Sequence, residues 1–474
     1  MRIQMELPPY PDTATAHSGQ NSGAMDGLGN PSTGDKVVWH LNSALTILTE
    51  YRFVKDPPPP FRTQKDASNA FAAHARQILQ SDLETPSISR VQALLMLTGH
   101  DWGAGNGRRA WIYLGMAIRL VEVMDLCQEP KLPRDRPPTR EEFIDAEVRR
   151  RTAWTCFLMD SLLSGGKGRR RSLDASAMNI QLPCERESFV FGEPVCTEQL
   201  DGSLRSDVVS VRVGELGIIA YSMRAANIWG KVARWACSEV INTELPWSPS
   251  SEFQQLVYNL EAWKKSLPPR LQYDLFELHS HNAVDQGQAF CYMHCIHFMS
   301  YMFLHRAYLP VLGPRVAADE APKSYNEHAA TWKSWEKTCR IELFKEAASV
   351  LEMLEEMRTF GVYFLRGLVP WIGFTIYTAV GVMLYSFNFP SGDDDPVFSE
   401  KAKTRVIQGC VFLKEMKQQW PMAETWVRQS CDKAAMLTNE ISSRQSSACK
   451  LIIEPCMAMA RQYLQMNDRL SEPR

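Results

Sequence analysis

Long apolar-periodic blocks alternate along the chain with short stretches that break them. Between Lys36 and Val54 the apolar positions Val38, Leu41, Leu45 and Leu48 recur at helical spacing, and the run Pro57 to Pro60 stops any helix there. After Pro86 the string SISRVQALLMLTGHDW predicts a helix with Ser87 or Ser89 near its start, broken by Gly103, Gly105 and Gly107. The next helix begins near Arg108. In it Leu114, Ala117, Ile118 and Val121 follow i, i+3, i+4, i+7 while Arg119 and Glu122 fall off that stripe, so one face packs on a neighbour. Residues 128–140 carry four prolines and form a loop; EEFIDAEVRRRTAWTCFLMDSLLS then returns to helix and GGKGRRRS ends it.

Isolated hydrophobics among prolines and glycines, such as Phe189 and Phe191, predict a long irregular segment laid over the helices between about Ser172 and Leu204. Strong helical blocks follow at 211–242, 284–309, 340–360 and 368–388. Alternating β-branched runs flanked by hairpin turns do not occur at any length, so the predicted fold class is all-α: a large array of packed helices with long irregular loops. Residues 1–35, rich in Gly, Ser, Thr, Asn and Pro, read as a disordered leader, residues 36–440 as the helical domain and 441–474 as a C-terminal helical tail.

Composition agrees with a folded body and narrows the surroundings. Hydrophobic residues make up 45% of the 474 and charged residues 22%, enough for a sizeable core. A net charge of -2 gives no global positive field, so any nucleic-acid contact has to be local. The 12 cysteines lie singly from Cys127 to Cys456, which suits a reducing compartment better than a disulfide framework. The N-terminus has no apolar segment after Arg2 and reads as neither secretory signal nor helical anchor, leaving cytosol and nucleus.

Five strings, in order, resemble the middle homology region of fungal binuclear zinc-cluster transcription factors of the xylanolytic-activator type. GRRAWIYLGMAIRLVEVMDL, Gly107 to Leu126, has Arg109, Trp111, Gly115, Ala117 and Arg119 where the family places them. EVRRRTAWTCFLMDSLLS, Glu147 to Ser164, is similar to its Glu, Arg-rich, Trp, Asp helix, with a closing Ile180 to Pro183. MSYMFLHRAYLP, Met299 to Pro310, looks like a Leu-His-Arg-Pro helix end with Ala307 in place of the proline. VPWIGFTIYTAVGVMLYSFNFP, Val369 to Pro390, and WPMAETWV, Trp420 to Val427, complete the series.

The resemblance implies a transcription regulator of fungal type, acting on RNA polymerase II transcription in the nucleus, without enzymatic activity. It also implies DNA as a partner, alongside a homodimer or co-regulators and a small-molecule effector. The family's six-cysteine zinc cluster has no counterpart, because no cysteine precedes Cys127, so zinc and DNA contact rest on the family alone and no cofactor is expected in this chain. A further departure is the segment Gly166 to Ser172, where the family tends to have Gly-Arg-Pro.

Several residue groups are candidate sites. Lys167, Arg169, Arg170 and Arg171 form a candidate nuclear import signal or phosphate patch. The run Arg149, Arg150 and Arg151 lies beside them in the same cluster, whose alternative reading is a helix face with a solvated C-terminal turn, Glu147 pairing three and four residues on. Met299, Met302, Phe303, Trp371, Phe374 and Tyr377 are the candidate lining of an effector pocket, against ordinary core as the alternative. Cys291, His294, Cys295 and His297 offer metal-ligand chemistry, but His297 points away from the other three and core packing is the expectation. The Gly103, Gly105, Gly107 string lacks a preceding strand and reads as a turn rather than a phosphate loop. Two rival classes remain: a membrane-associated protein with a span near 368–389, and a metal-dependent enzyme.

Overall fold

The computed structural model describes residues 62–81, 85–132, 136–164, 169–204, 211–238, 244–308, 328–388 and 396–428. The expected leader, the stripe at 36–54 and the tail at 441–474 lie outside them, as does Lys167.

Thirteen α-helices account for most of the described residues, so the all-α expectation holds. In chain order α1 is Gln64–Ser81, α2 Ile88–Gly103, α3 Gly107–Val123, α4 Arg140–Leu163 and α5 Arg186–Phe191. They are followed by α6 Ile218–Trp235, α7 Glu252–Ser266, α8 Leu275–Ala283 and α9 Gly287–Arg306. Last come α10 Ala329–Thr359, α11 Val362–Arg366, α12 Pro370–Asn388 and α13 Pro396–Gln419. Helices α1, α5, α7, α8, α11 and α13 were not marked by the apolar pattern, and α5 lies inside the stretch read as irregular. Another addition is a parallel pair of two-residue strands, β1 Val195–Cys196 with β2 Arg212–Val213, inside stretches read as loop and helix.

The helix ends follow local chemistry. Ser87 caps α2 by accepting the Arg90 N–H, and Thr139 and Glu142 form a reciprocal capping box at the start of α4. Asp125 closes α3 in the left-handed region at φ 53°, and Leu126 N–H reaches back to the Val121 carbonyl, which satisfies an orphan acceptor of the last turn.

Helix α9 is the hub. All but Gln288 and Tyr292 of its 20 residues are buried, and it packs against α6, α7, α8, α10 and α12. Each large apolar side chain it buries contributes about 1.5–3 kcal/mol, so this one helix supplies a major share of the core.

The apolar run that raised a membrane reading is α12. Its residues from Pro370 to Ser386 are all buried, by α9, α10 and α13. Thr375 and Thr378 return their hydroxyls to the Trp371 and Phe374 carbonyls, both at 3.0 Å. No described helix is long and apolar enough to cross a membrane, so the rival reading of a span near 368–389 gives way to a core helix. Its apolarity answers to protein neighbours, and Gly373 marks how close they come: a Cβ there would lie 2.2 Å from the Met416 sulfur on α13.

Candidate regulatory site

The basic segment after α4 is taken apart by its own contacts. Asp160, buried near the end of α4, accepts the backbone N–H groups of Ser172 and Leu173 at 2.7 Å each and the Ser164 hydroxyl at 2.9 Å. Burial pushes its carboxyl up, and those three donors act against the shift. With the loop so anchored, Arg171 turns inward. It lies 4.9 Å from the Phe157 ring centroid and donates to Asn227 at 3.2 Å. Arg169 covers the Trp111 ring at 5.2 Å, and Arg170 is exposed. The three arginines therefore point to three environments and do not converge on one anion.

The run Arg149 to Arg151 makes the expected pairing with Glu147, on a face that is buried at two of its three positions. Glu147 does receive Arg150 at 3.3 Å and Arg151 at 2.9 Å, but both arginines are buried. A second acid completes the set: Glu129, from the loop after α3, also pairs with Arg150. Arg151 extends the network to the Cys184 carbonyl at 2.7 Å, and its guanidinium stands 4.4 Å over Phe189. This buried network ties α4 to both flanking loops. Glu129 left no sequence signal, because nothing local links a loop acid to a helix twenty-one residues on.

The six candidate effector residues do come together, at the crossing of α9 and α12, and each is 3% exposed or less. Their rings form a packed chain: Phe303 to Phe374 at 6.0 Å, Trp371 to Phe374 at 5.8 Å and Phe374 to Tyr377 at 6.3 Å. Two residues missed in the sequence extend it. Trp229 of α6 meets Phe303 at 4.9 Å and Trp371 at 5.0 Å, and Trp426 stacks on Tyr377 at 6.0 Å. The Trp229 indole N–H is buried without a hydrogen-bond partner.

Cys291, His294, Cys295 and His297 are packing residues. His294 Nε2 bonds the Leu271 carbonyl at 3.0 Å, and the His297 ring stacks on Trp263 at 5.0 Å and 19°. Burial pushes both cysteine thiols up and pulls both histidines down to about 3. Among the described residues no group of three or more His, Cys, Asp or Glu could hold a metal ion, and the nine described cysteines are free thiols, eight of them buried. They do not fit a binuclear zinc cluster, which needs thiolates gathered at one place.

Residues 51–265 match the family model described as the fungal specific transcription factor domain. This part of the chain is similar to that domain. Among curated relatives, an uncharacterized transcriptional regulatory protein of Schizosaccharomyces pombe is 27% identical over 374 residues, covering 74% of this chain and 53% of the relative. A second such protein from that yeast is 30% identical over 290 residues, covering 59% of this chain and 29% of its own length. A Zn(2)-C6 fungal-type transcription factor of Fusarium oxysporum is 26% identical over 365 residues, 74% of this chain and 37% of that protein. The chain thus spans about half, or less, of these relatives. No solved structure matches.

Several of the residues that carry the resemblance make contacts inside the fold. Arg109 donates twice to the buried Asp101, at 2.8 and 2.6 Å, and Arg76 of α1 reaches the same carboxylate at 2.8 Å. Trp154 donates to the Gln181 carbonyl at 2.7 Å, Asp160 holds the loop at 172–173, and Trp420 donates to the Leu368 carbonyl at 3.0 Å.

Proposed function

We propose that this chain is the helical regulatory part of a fungal transcription regulator, acting in the nucleus on RNA polymerase II transcription. The observation that carries the reading is the long stretch of similarity to transcriptional regulators, which falls on one continuous helical body. Zinc is kept to the relatives named for it, and DNA contact is left to the parts of such regulators outside this chain's described residues. This chain's part is to govern output through its helical surface, by pairing with a second copy or with co-regulators.

Effector control is the finer part of the proposal. The responsive element is the set Met299, Met302, Phe303, Trp371, Phe374 and Tyr377, supported by the buried, unpartnered N–H of Trp229 beside it. A buried donor left unpaired costs about 1–3 kcal/mol, so an effector bringing an acceptor there gains that energy on binding. The cluster is closed, and entry requires α9 and α12 to part.

The test is a tethered reporter. The full chain is fused to an unrelated DNA-binding domain and expressed in a fungal host carrying the matching promoter. Reporter output is expected to rise or fall several-fold against the DNA-binding domain alone. Unchanged output from a stable, nuclear fusion sinks the proposal.

A further inference from the structure

Helix α3 buries Leu114, Ala117, Ile118 and Val121 and leaves its opposite face exposed at Arg108, Ile112, Gly115, Arg119, Glu122 and Val123. That face carries apolar surface, with Ile112 59% and Val123 70% exposed. Beside it a groove of about 400 Å³, lined by Leu79, Leu94, Ile112, Met116 and Leu120, opens toward α1 and α2. At the middle of the face Gly115 has nothing within 4 Å of where its Cβ would be, so the backbone of a second helix can come close there.

The charges on this face are set symmetrically about Gly115. Arg108 stands seven residues before it and Glu122 seven after, each nearly two turns away, so the three fall on one line along the helix. Both charges oppose the dipole of α3 itself, which disfavours a cation in the first turn and an anion in the last. Arg109, the other cation of the first turn, is held by Asp101, and Glu122 meets Arg119 through only one of its two oxygens. A second α3 laid antiparallel across Gly115 removes the mismatch: its acidic end meets Arg108 and its basic end meets Glu122. A twofold contact requires this arrangement, because each copy has to offer both members of every pair.

We infer that two copies of the chain pair through this face, α3 against α3, antiparallel about a twofold axis at Gly115. The inference rests on the proposed pairing with a second copy and gives that pairing a surface. Arg108 of each copy pairs with Glu122 of the other, and Ile112 of each enters the other's groove beside Met116 and Leu120, which takes the exposed apolar side chains out of water. A foreign helix could fill the groove, but it would give no reason for opposite charges placed at equal distances from Gly115.

Sedimentation of the purified full chain at micromolar concentration reads the association, and circular dichroism checks that each variant keeps its helices. The parent is expected to sediment as a dimer. Arg108→Glu alone, or Glu122→Lys alone, sets like charges at both symmetry-related pairs and is expected to weaken association about tenfold. An equal mixture of the two variants restores it, because each copy then supplies the charge that the other lacks. Independently, Gly115→Cys under mild oxidation is expected to give a disulfide-linked dimer in which mass spectrometry finds the two introduced thiols joined to each other. A monomeric parent overturns the inference. So does a mixture no tighter than either variant alone, or a bridge from the introduced thiol only to other cysteines. None of these readouts depends on transcription, so a silent tethered reporter beside an intact pair ends the regulatory reading alone, and a responsive reporter beside a monomeric chain ends this inference alone.

Discussion

The guanidinium of Arg171 lies over the ring of Phe157, 4.9 Å from its centroid, so the last arginine of the basic segment belongs to the fold. Arg171→Ala is expected to lower stability by about 1–2 kcal/mol through lost cation–π and hydrogen-bond contacts, whereas exposed Arg170→Ala stays within about 0.5 kcal/mol of the parent. Urea denaturation distinguishes them. The import proposal is therefore best tested with Lys167→Ala and Arg170→Ala together, sparing Arg171; undiminished nuclear accumulation of that variant removes the segment as a signal.

Glu129 and Arg150 exemplify a buried pair whose partners depend on each other. Removing the acid leaves two buried arginines with Glu147 as their shared carboxylate, and breaking such a pair costs about 3–5 kcal/mol. Glu129→Ala is expected to show a loss of that order by chemical denaturation, together with faster hydrogen exchange in residues 179–184, where Gln181 N–H also donates to Glu129 at 3.1 Å. A loss below about 1 kcal/mol would contradict the account.

The buried histidines set an acid limit on stability. Burial pulls His294 and His297 down to about 3 and His305 to about 4, from an ordinary value of 6.5. Because the unfolded chain binds these protons first, the stability they protect is complete above pH 6.5 and is lost as pH falls toward 4, at about 1.4 kcal/mol per unit for each ring. The urea midpoint is expected to drop clearly between pH 7 and pH 5. Equal midpoints would mean that the rings ionise freely in the folded state.

Gly103 is where Trp420, just after α13, touches α2. A Cβ at this position would sit 1.9 Å from Trp420 Cε3, a contact that the ring has to move to relieve. Gly103→Ala is expected to destabilise by about 1–3 kcal/mol, the usual range for overpacking, and the shift in melting temperature measures it. Restoration by a second change, Trp420→Leu, distinguishes ring displacement from a helix-end effect.

The helices read best in the sequence are those whose buried stripe consists of large side chains, as in α3 and α9. Helix α1 escaped notice because its buried positions include Ala67, Ala72 and Ala75, which contrast little with a polar background. Buried ions were misread for a related reason: periodicity treats Arg150 and Arg151 as outward-facing, and beside the local Glu147 it takes the distant Glu129 and the Cys184 carbonyl to offset their burial. Of the candidate sites, the aromatic set was legible since its members fall on two helices that cross. Trp229 and Trp426 were not, because contacts between remote segments leave no spacing to read.

The hydrogen bond from Met422 N–H to the Gly103 carbonyl, at 3.2 Å, has a practical meaning for where this molecule can be cut. Similarity to the family model ends at residue 265, yet the ridge it describes is closed by a clasp from the far end of the polypeptide. A fragment trimmed to that frontier surrenders the α9 hub along with the clasp, so the recognisable half and the physically self-sufficient half are different objects.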